Sequence, residues 1–336
     1  MSRLWAPGAV TTIGSLPGTD PAEAATLLVG ELPDLPHLAE LPDRGAGADM
    51  IGRTAALLVE LPVEIAASGW RLTAHSTRDL RRAQDYFAWD LDALEAATTG
   101  YHGPLKLQIT GPWTLAAQLE LPSGHRVVFD HGATRDLAES LAEGLRAHLA
   151  DVSRRVPGAQ LVVQLDEPSL PAVLGGRLPT ASGWGTVRSI DIATVRSHLH
   201  DVLDVAPEGG RVIHCCATDT PVALLREAGA DAIAFDLAAV GSTQNDALGE
   251  AVDAGLSLWA GVLPTTDVTA IDARITRATA LEPIRQLWNE LGFPAAQLAA
   301  AVVPTPSCGL AGASTDYVRR VFAVLREAGS ELRELA

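Results

Sequence analysis

The sequence predicts an α/β fold, a single (β/α)8 TIM barrel, and three observations carry that expectation. Eight short apolar runs recur along the 336 residues, separated by segments with helical patterning. No Gly-x-Gly-x-x-Gly opens a helical segment, which argues against a doubly wound dinucleotide-binding sheet. No linker, low-complexity block or repeat divides the chain, so residues 1–336 read as one domain.

The elements follow in order. Residues 11–17 form the first strand-like run, with a helix expected over 21–29. The second run, 35–40, is weakened by Pro36. Helical patterns cover 48–67 and 78–98, the latter rich in i,i+4 charge. Runs three and four are 105–110 and 160–165, with a helix over 134–155 between them. The fifth run, 211–215, leads into a helix over 218–228. Runs six, seven and eight are 231–236, 256–261 and 298–304, and a helix over 313–328 follows.

Composition narrows the function classes. Apolar residues make up 47% of the chain, enough for a well-buried core. The net charge of −16 argues against nucleic acid or an anionic membrane as partner. Only one of the 25 basic residues, Lys106, is a lysine. Three cysteines do not make a disulfide framework, and no apolar stretch reaches about 18 residues. A cytoplasmic protein is expected.

In a barrel, chemistry belongs at the carboxyl ends of the strands. Those ends read Gly14-Ser15, Glu40, Thr110-Gly111-Pro112, Asp166-Glu167-Pro168, His214-Cys215-Cys216, Asp236, Gly261 and Cys308. Side chains alternate along a strand, so His214 and Cys216 point one way and Cys215 the other. With Asp236 and Cys308 they offer nitrogen, sulfur, oxygen and sulfur, a tetrahedral zinc set. The competing reading makes His214 a hydrogen-bonded core residue and the cysteines small hydrophobes. Cys215 and Trp113 are expected to pack, and His37, His102, His125 and His131 to be solvated in polar loops.

Taken together, Thr12-Ile-Gly-Ser, Thr110-Gly-Pro, Asp166-Glu-Pro, His214-x-Cys and Ser307-Cys-Gly-Leu resemble the catalytic barrel of cobalamin-independent methionine synthase. The motifs keep the family's order and span residues 11–310. The resemblance is to the C-terminal barrel only, and to the short single-barrel relatives. It implies a zinc-dependent methyltransferase acting on a small thiol, homocysteine first, to give methionine. His214, Cys216 and Cys308 match the family's zinc ligands, and Asp236 stands where the family has a glutamate ligand. Ile13, Gly14 and Ser15 match the loop holding the amino-acid carboxylate. Asp166, and with it Glu40, match the carboxylates that bind the ammonium.

Two positions depart from the folate-using members. Gln118 stands where they carry a tryptophan that stacks on the pterin, and the loop from Gly261 to Thr266 has no acid histidine. A corrinoid-bound methyl group is therefore an alternative donor to methyl-tetrahydrofolate. The other readings are a uroporphyrinogen decarboxylase-like enzyme and a non-catalytic protein that binds zinc, a thiol or a corrinoid.

Overall fold

Each crossover in a parallel sheet returns the chain to the same edge of the molecule, so consecutive strands line up with their carboxyl ends together. The computed structural model, which describes residues 3–180, 183–267 and 275–335, shows this arrangement. Six strands run parallel in chain order: β3 (Gly103–Thr110), β4 (Ala159–Asp166), β5 (Arg211–His214), β6 (Ala232–Asp236), β7 (Ser257–Leu263) and β8 (Val302–Pro306). Helices α3 (Arg78–Ala97), α5 (His131–Arg155), α7 (Ile192–Leu203), α10 (Arg277–Leu291) and α12 (Thr315–Glu334) are the long ones on the outer face.

The curled sheet has two apolar faces. Its outer face joins the helices in one large cluster that includes Leu105, Leu107, Leu161, Ile213 and Leu258. Its inner face gathers Ile13, Val162, Val212, Ala232, Ala234, Trp259 and Val303, with Trp5 edge-on to Trp259 at 5.1 Å. Alternation along each strand sorts residues between the two. Fully buried strands of this kind read as continuous apolar runs, and all six coincide with expected runs, the eighth in its last part only.

The remaining two expected strands are extended segments held by single bridges. Residues 36–38 join the β3 edge, where Lys106 N donates to Pro36 O and Leu38 N to Lys106 O, at 2.9 and 3.0 Å. Glu40 pairs in parallel with Ser15, and Leu310 N, beyond β8, donates to Ser15 O at 2.8 Å. The two sheet edges are thus linked through these segments. Pro17 and Pro36 lack the amide hydrogen that a longer ladder needs.

Three other expectations are corrected. The helix expected over 48–67 stops early: α2 spans Met50–Ala55, and an antiparallel hairpin follows, β1 (Val63–Ala66) and β2 (Gly69–Leu72). Val63 and Ile65 are β-branched, and Gly69 at φ 137° suits the turn. The eighth run divides into a short helix, α11 (Leu298–Ala301), and β8. His37 is fully buried, its Nε2 sharing a 2.6 Å hydrogen bond with Thr12 Oγ1 and its Nδ1 bonded to Leu38 O. Its sequence neighbours Leu35, Leu38 and Ala39 are apolar and buried, and they carry it into the core. Among the described residues no helix is long and apolar enough to cross a membrane.

Candidate active site

The carboxyl ends of the strands surround a cavity of about 240 Å³. Ile13, Ser15, Glu40, Asp166, His214, Cys216 and Cys308 all line it, with Pro42, Ala48, Met50, Pro168 and Gly309. One wall is sulfur and imidazole. His214 ends β5, and its Nε2 lies 3.8 Å from Cys308 Sγ. Cys308 Sγ donates to Cys216 Sγ at 3.7 Å. The ligand atoms of these three residues lie within 4.8 Å of one another.

Local chain geometry sets that wall. Cys215 N donates to Ala234 O at 2.9 Å, which keeps Cys215 fully buried and leaves Cys216 on the cavity side. Thr220 Oγ1 donates to Cys215 O and Ala217 O, closing the turn after β5. A register shift between Gly261 and Leu263 lets β8 come close, and a Cβ at Gly261 would sit 2.5 Å from Ser307 Cα. Gly309 is equally confined: a Cβ there would meet Ser15 Oγ at 2.0 Å.

The two thiols are hydrogen-bonded to each other. Donation from Cys308 holds the Cys216 thiol below its usual pKa, while Cys308 is pushed well above its own by the same bond and by burial. Burial works against the charged form of His214, but the bond to Cys308 and the nearby Asp166 together raise its pKa. His214 Nδ1 is buried with no hydrogen-bond partner among the described residues.

The opposite side carries carboxylates. Asp166 ends β4 in register with Thr110 and His214, and Gln164 Nε2 donates to its Oδ1 at 2.7 Å. Glu40 lies 3.8 Å from Arg53 Nε, a guanidinium already shared with Asp90 and stacked over Phe87. Burial raises the pKa of both Glu40 and Asp166, and Lys106 opposes that rise in each. A Cβ at Gly14 would meet Gln108 and Glu40 at about 3.0 Å, so glycine lets these side chains pack against the loop.

Several expected residues take other places. Asp236 is not brought to the His–Cys–Cys group; its Oδ1 accepts from Ala238 N at 3.0 Å, and it lines an adjacent cavity with Gly261, Pro264 and Ser307. Glu167 turns away from the cavity, its carboxylate accepting from Trp113 N, Thr114 N and Thr114 Oγ1 at 2.7–2.9 Å. Burial lifts the Glu167 carboxyl to about 7 despite these donors. Trp113 is buried, stacked on His198 at 5.2 Å, and gives no face to a ligand. Gln118 is exposed beside Ser169.

Three polar residues at the base of the cavity, Lys106, Gln108 and Gln164, were not singled out as site residues. The available signal was spacing: 106, 108 and 110 in one apolar strand and 164 and 166 in the next share a face.

The family described as "Cobalamin-independent synthase, Catalytic domain" matches residues 9–331. The chain belongs to this family. Its fold is similar to that of a B12-independent methionine synthase from Shewanella sp. W3-18-1, solved in complex with selenomethionine. There the TM-score is 0.65 at 14% identity, covering 98% of each chain. A methyltransferase from Methanosarcina mazei is similar with a TM-score of 0.56 at 14% identity, over 97% of this chain and 94% of the other. No curated protein matches the chain. Membership of this family, with the His214–Cys216–Cys308 group at the strand ends, supports a methyltransferase.

Proposed function

We propose that the protein is a zinc-dependent methyltransferase that moves a methyl group to the sulfur of a small amino-acid thiol, homocysteine being the acceptor and methionine the product. The observation that carries this reading is one imidazole nitrogen and two thiols within 4.8 Å of one another, in a cavity that also holds Glu40 and Asp166. One nitrogen and two sulfur donors suit zinc, and the buried His214 Nε2 faces them. His214, Cys216 and Cys308 would hold the ion. Zinc there would act as a Lewis acid that lowers the pKa of the acceptor thiol, favouring its thiolate at neutral pH.

The protein's own residues hold the rest of the acceptor. Glu40 and Asp166 accept hydrogen bonds from its ammonium, and the Ile13–Ser15 loop binds its carboxylate, with the Ser15 hydroxyl as one donor. A cavity of about 240 Å³ has room for an amino acid with a short thiol side chain. The two extended segments 11–16 and 36–40 complete the barrel in this reading and bring Ser15 and Glu40 to its mouth. Among the described residues no arginine lines the cavity, which disfavours a polycarboxylate tetrapyrrole. With Trp113 packed and position 118 a glutamine, a corrinoid-bound methyl donor is favoured over a folate.

The test is metal content and turnover together. Purified protein is expected to contain about one zinc per chain and to form methionine from homocysteine with methylcobalamin. Zinc-free protein from a reducing, chelator-free preparation overturns the proposal, as does zinc-loaded protein inert with both methylcobalamin and methyl-tetrahydrofolate.

A further inference from the structure

Of 25 basic residues, 24 are arginines, and the one lysine is fully buried in the middle of β3. An ammonium inside a protein is costly unless its three hydrogens are bonded and its charge is balanced. Lys106 Nζ has three acceptors: Ile13 O at 2.7 Å, Gln164 Oε1 at 2.9 Å and Gln108 Oε1 at 3.4 Å. All three are neutral, and among the described residues Lys106 makes no ion pair within 4.0 Å. The balancing charge lies one group further away.

The two glutamines are cross-strand partners, Gln108 opposite Gln164, in the row directly below Thr110 and Asp166. An ammonium only donates, so it selects the oxygen end of each amide and fixes which way the amide points. The NH2 ends then face up the barrel. Gln164 Nε2 donates to Asp166 Oδ1 at 2.7 Å and to Ile13 O at 2.9 Å. Gln108 Nε2 donates to Leu38 O at 2.5 Å, and the Gln108 amide lies beside the Glu40 carboxylate. Each amide thus favours the ionised, accepting form of one carboxylate.

We propose that Lys106 is a positioning residue that sets specificity for an amine-bearing thiol, acting through Gln108 and Gln164 to hold Glu40 and Asp166 as oriented acceptors. This rests on the acceptor reading given above. Charge supports the link: Lys106 and Arg53, the latter 3.8 Å from Glu40, both favour the ionised form of that carboxylate, and Lys106 does the same for Asp166. Burial disfavours the charged form of Lys106, while Asp166 and Glu40 favour it, so the three groups stabilise one another's charge. An arginine cannot replace the lysine here, since its planar fork spreads five donors where the acceptors converge on one point.

The test compares L-homocysteine with 4-mercaptobutanoate, the same thiol acid without the amine, by calorimetry on zinc-loaded protein. Wild type is expected to prefer homocysteine by about 10- to 100-fold, the range of charge-assisted hydrogen bonds. In Lys106→Met the preference is expected to fall to within about threefold, with zinc stoichiometry and the affinity for 4-mercaptobutanoate unchanged. Gln164→Leu, which keeps the lysine and cuts the link to Asp166, is expected to lose part of the preference and decides the matter if Lys106→Met does not fold. A wild-type preference in either folded variant overturns the role of Lys106. Absence of any preference in wild type overturns the acceptor reading itself, and this inference with it.

Discussion

The two sides of the cavity are built on different principles. On the sulfur side, His214, Cys216 and Cys308 come from two loops and a strand end, and they touch one another through sulfur contacts of 3.7–3.8 Å. Among the described residues His214 Nδ1 has no hydrogen-bond partner, although metal-bound histidines usually donate their second nitrogen to a neighbour. On the carboxylate side, Lys106, Gln108, Gln164 and Asp166 sit on two adjacent strands in a continuous hydrogen-bonded chain. One side is held by sulfur contacts alone, whereas the other is already a continuous hydrogen-bonded network. Removing a residue should therefore cost binding on the first side and folding stability on the second.

The largest break in that comparison is His214→Ala. Bound zinc is expected to fall from about one per chain to near zero by mass spectrometry, with methyl transfer reduced at least about 1,000-fold, since thiol activation is lost. A smaller loss is expected for Cys308→Ser, which removes one of two thiolates and should release most of the zinc under mild chelation. Full zinc retention there takes Cys308 out of the site.

Folding stability should respond at Gly111 and Glu167. A Cβ at Gly111 would lie 2.3 Å from Glu167 Oε1, so Gly111→Ala is expected to destabilise the protein by about 1–3 kcal/mol in denaturant titration. Glu167 has its carboxyl raised to about 7 by burial, well above its unfolded value. The folded state therefore binds more protons between the two values. Its contribution is fully present below the unfolded pKa, near 4.5, and is lost as pH rises through about 7. Wild-type stability is expected to decline from pH 5 to 8 by on the order of 2–3 kcal/mol from this group. Glu167→Gln should flatten that part of the profile, and an unchanged slope counts against the assignment.

The smallest effect sharpens the comparison instead of breaking it. Asp236 caps the turn after β6 through Ala238 N and lies outside the sulfur group. Asp236→Ala is expected to keep its zinc and lose about 0.5–1 kcal/mol of stability. Loss of zinc in that variant would mean that the carboxylate joins the ion after all.

The strand ends were legible because buried parallel strands leave a simple trace: an apolar run followed by the residue that reaches the cavity. That trace located Asp166, His214, Cys216 and Cys308 at the cavity. It failed at 48–67, where a helical count hid a hairpin, because Val63 and Ile65 fit both periods over so short a span. Helices α7 and α10 were not picked out either, and α10 carries Pro283 inside it. Asp236 shows a different limit. Position at a strand end was read correctly, but a side chain there has a choice between the cavity and the local backbone. The amide of Ala238, two residues away, competes for its carboxylate. Lys106 shows the reverse: composition marked it as unusual, yet only the fold reveals that residues 58 apart, Lys106 and Gln164, meet at 2.9 Å.

The bond from Leu310 N to Ser15 O joins the first and last loops of the cavity, and Gly309 fits against Ser15 with no room for a side chain. During synthesis from the amino end, residues 13–15 must wait until residue 308 has left the ribosome before the cavity has all its walls. No shorter nascent chain holds both thiols, Cys216 and Cys308, so the group of His214 and the two thiols forms only after residue 308 and cannot guide early folding. Contacts this distant in sequence also make closure of the site a late and slow event.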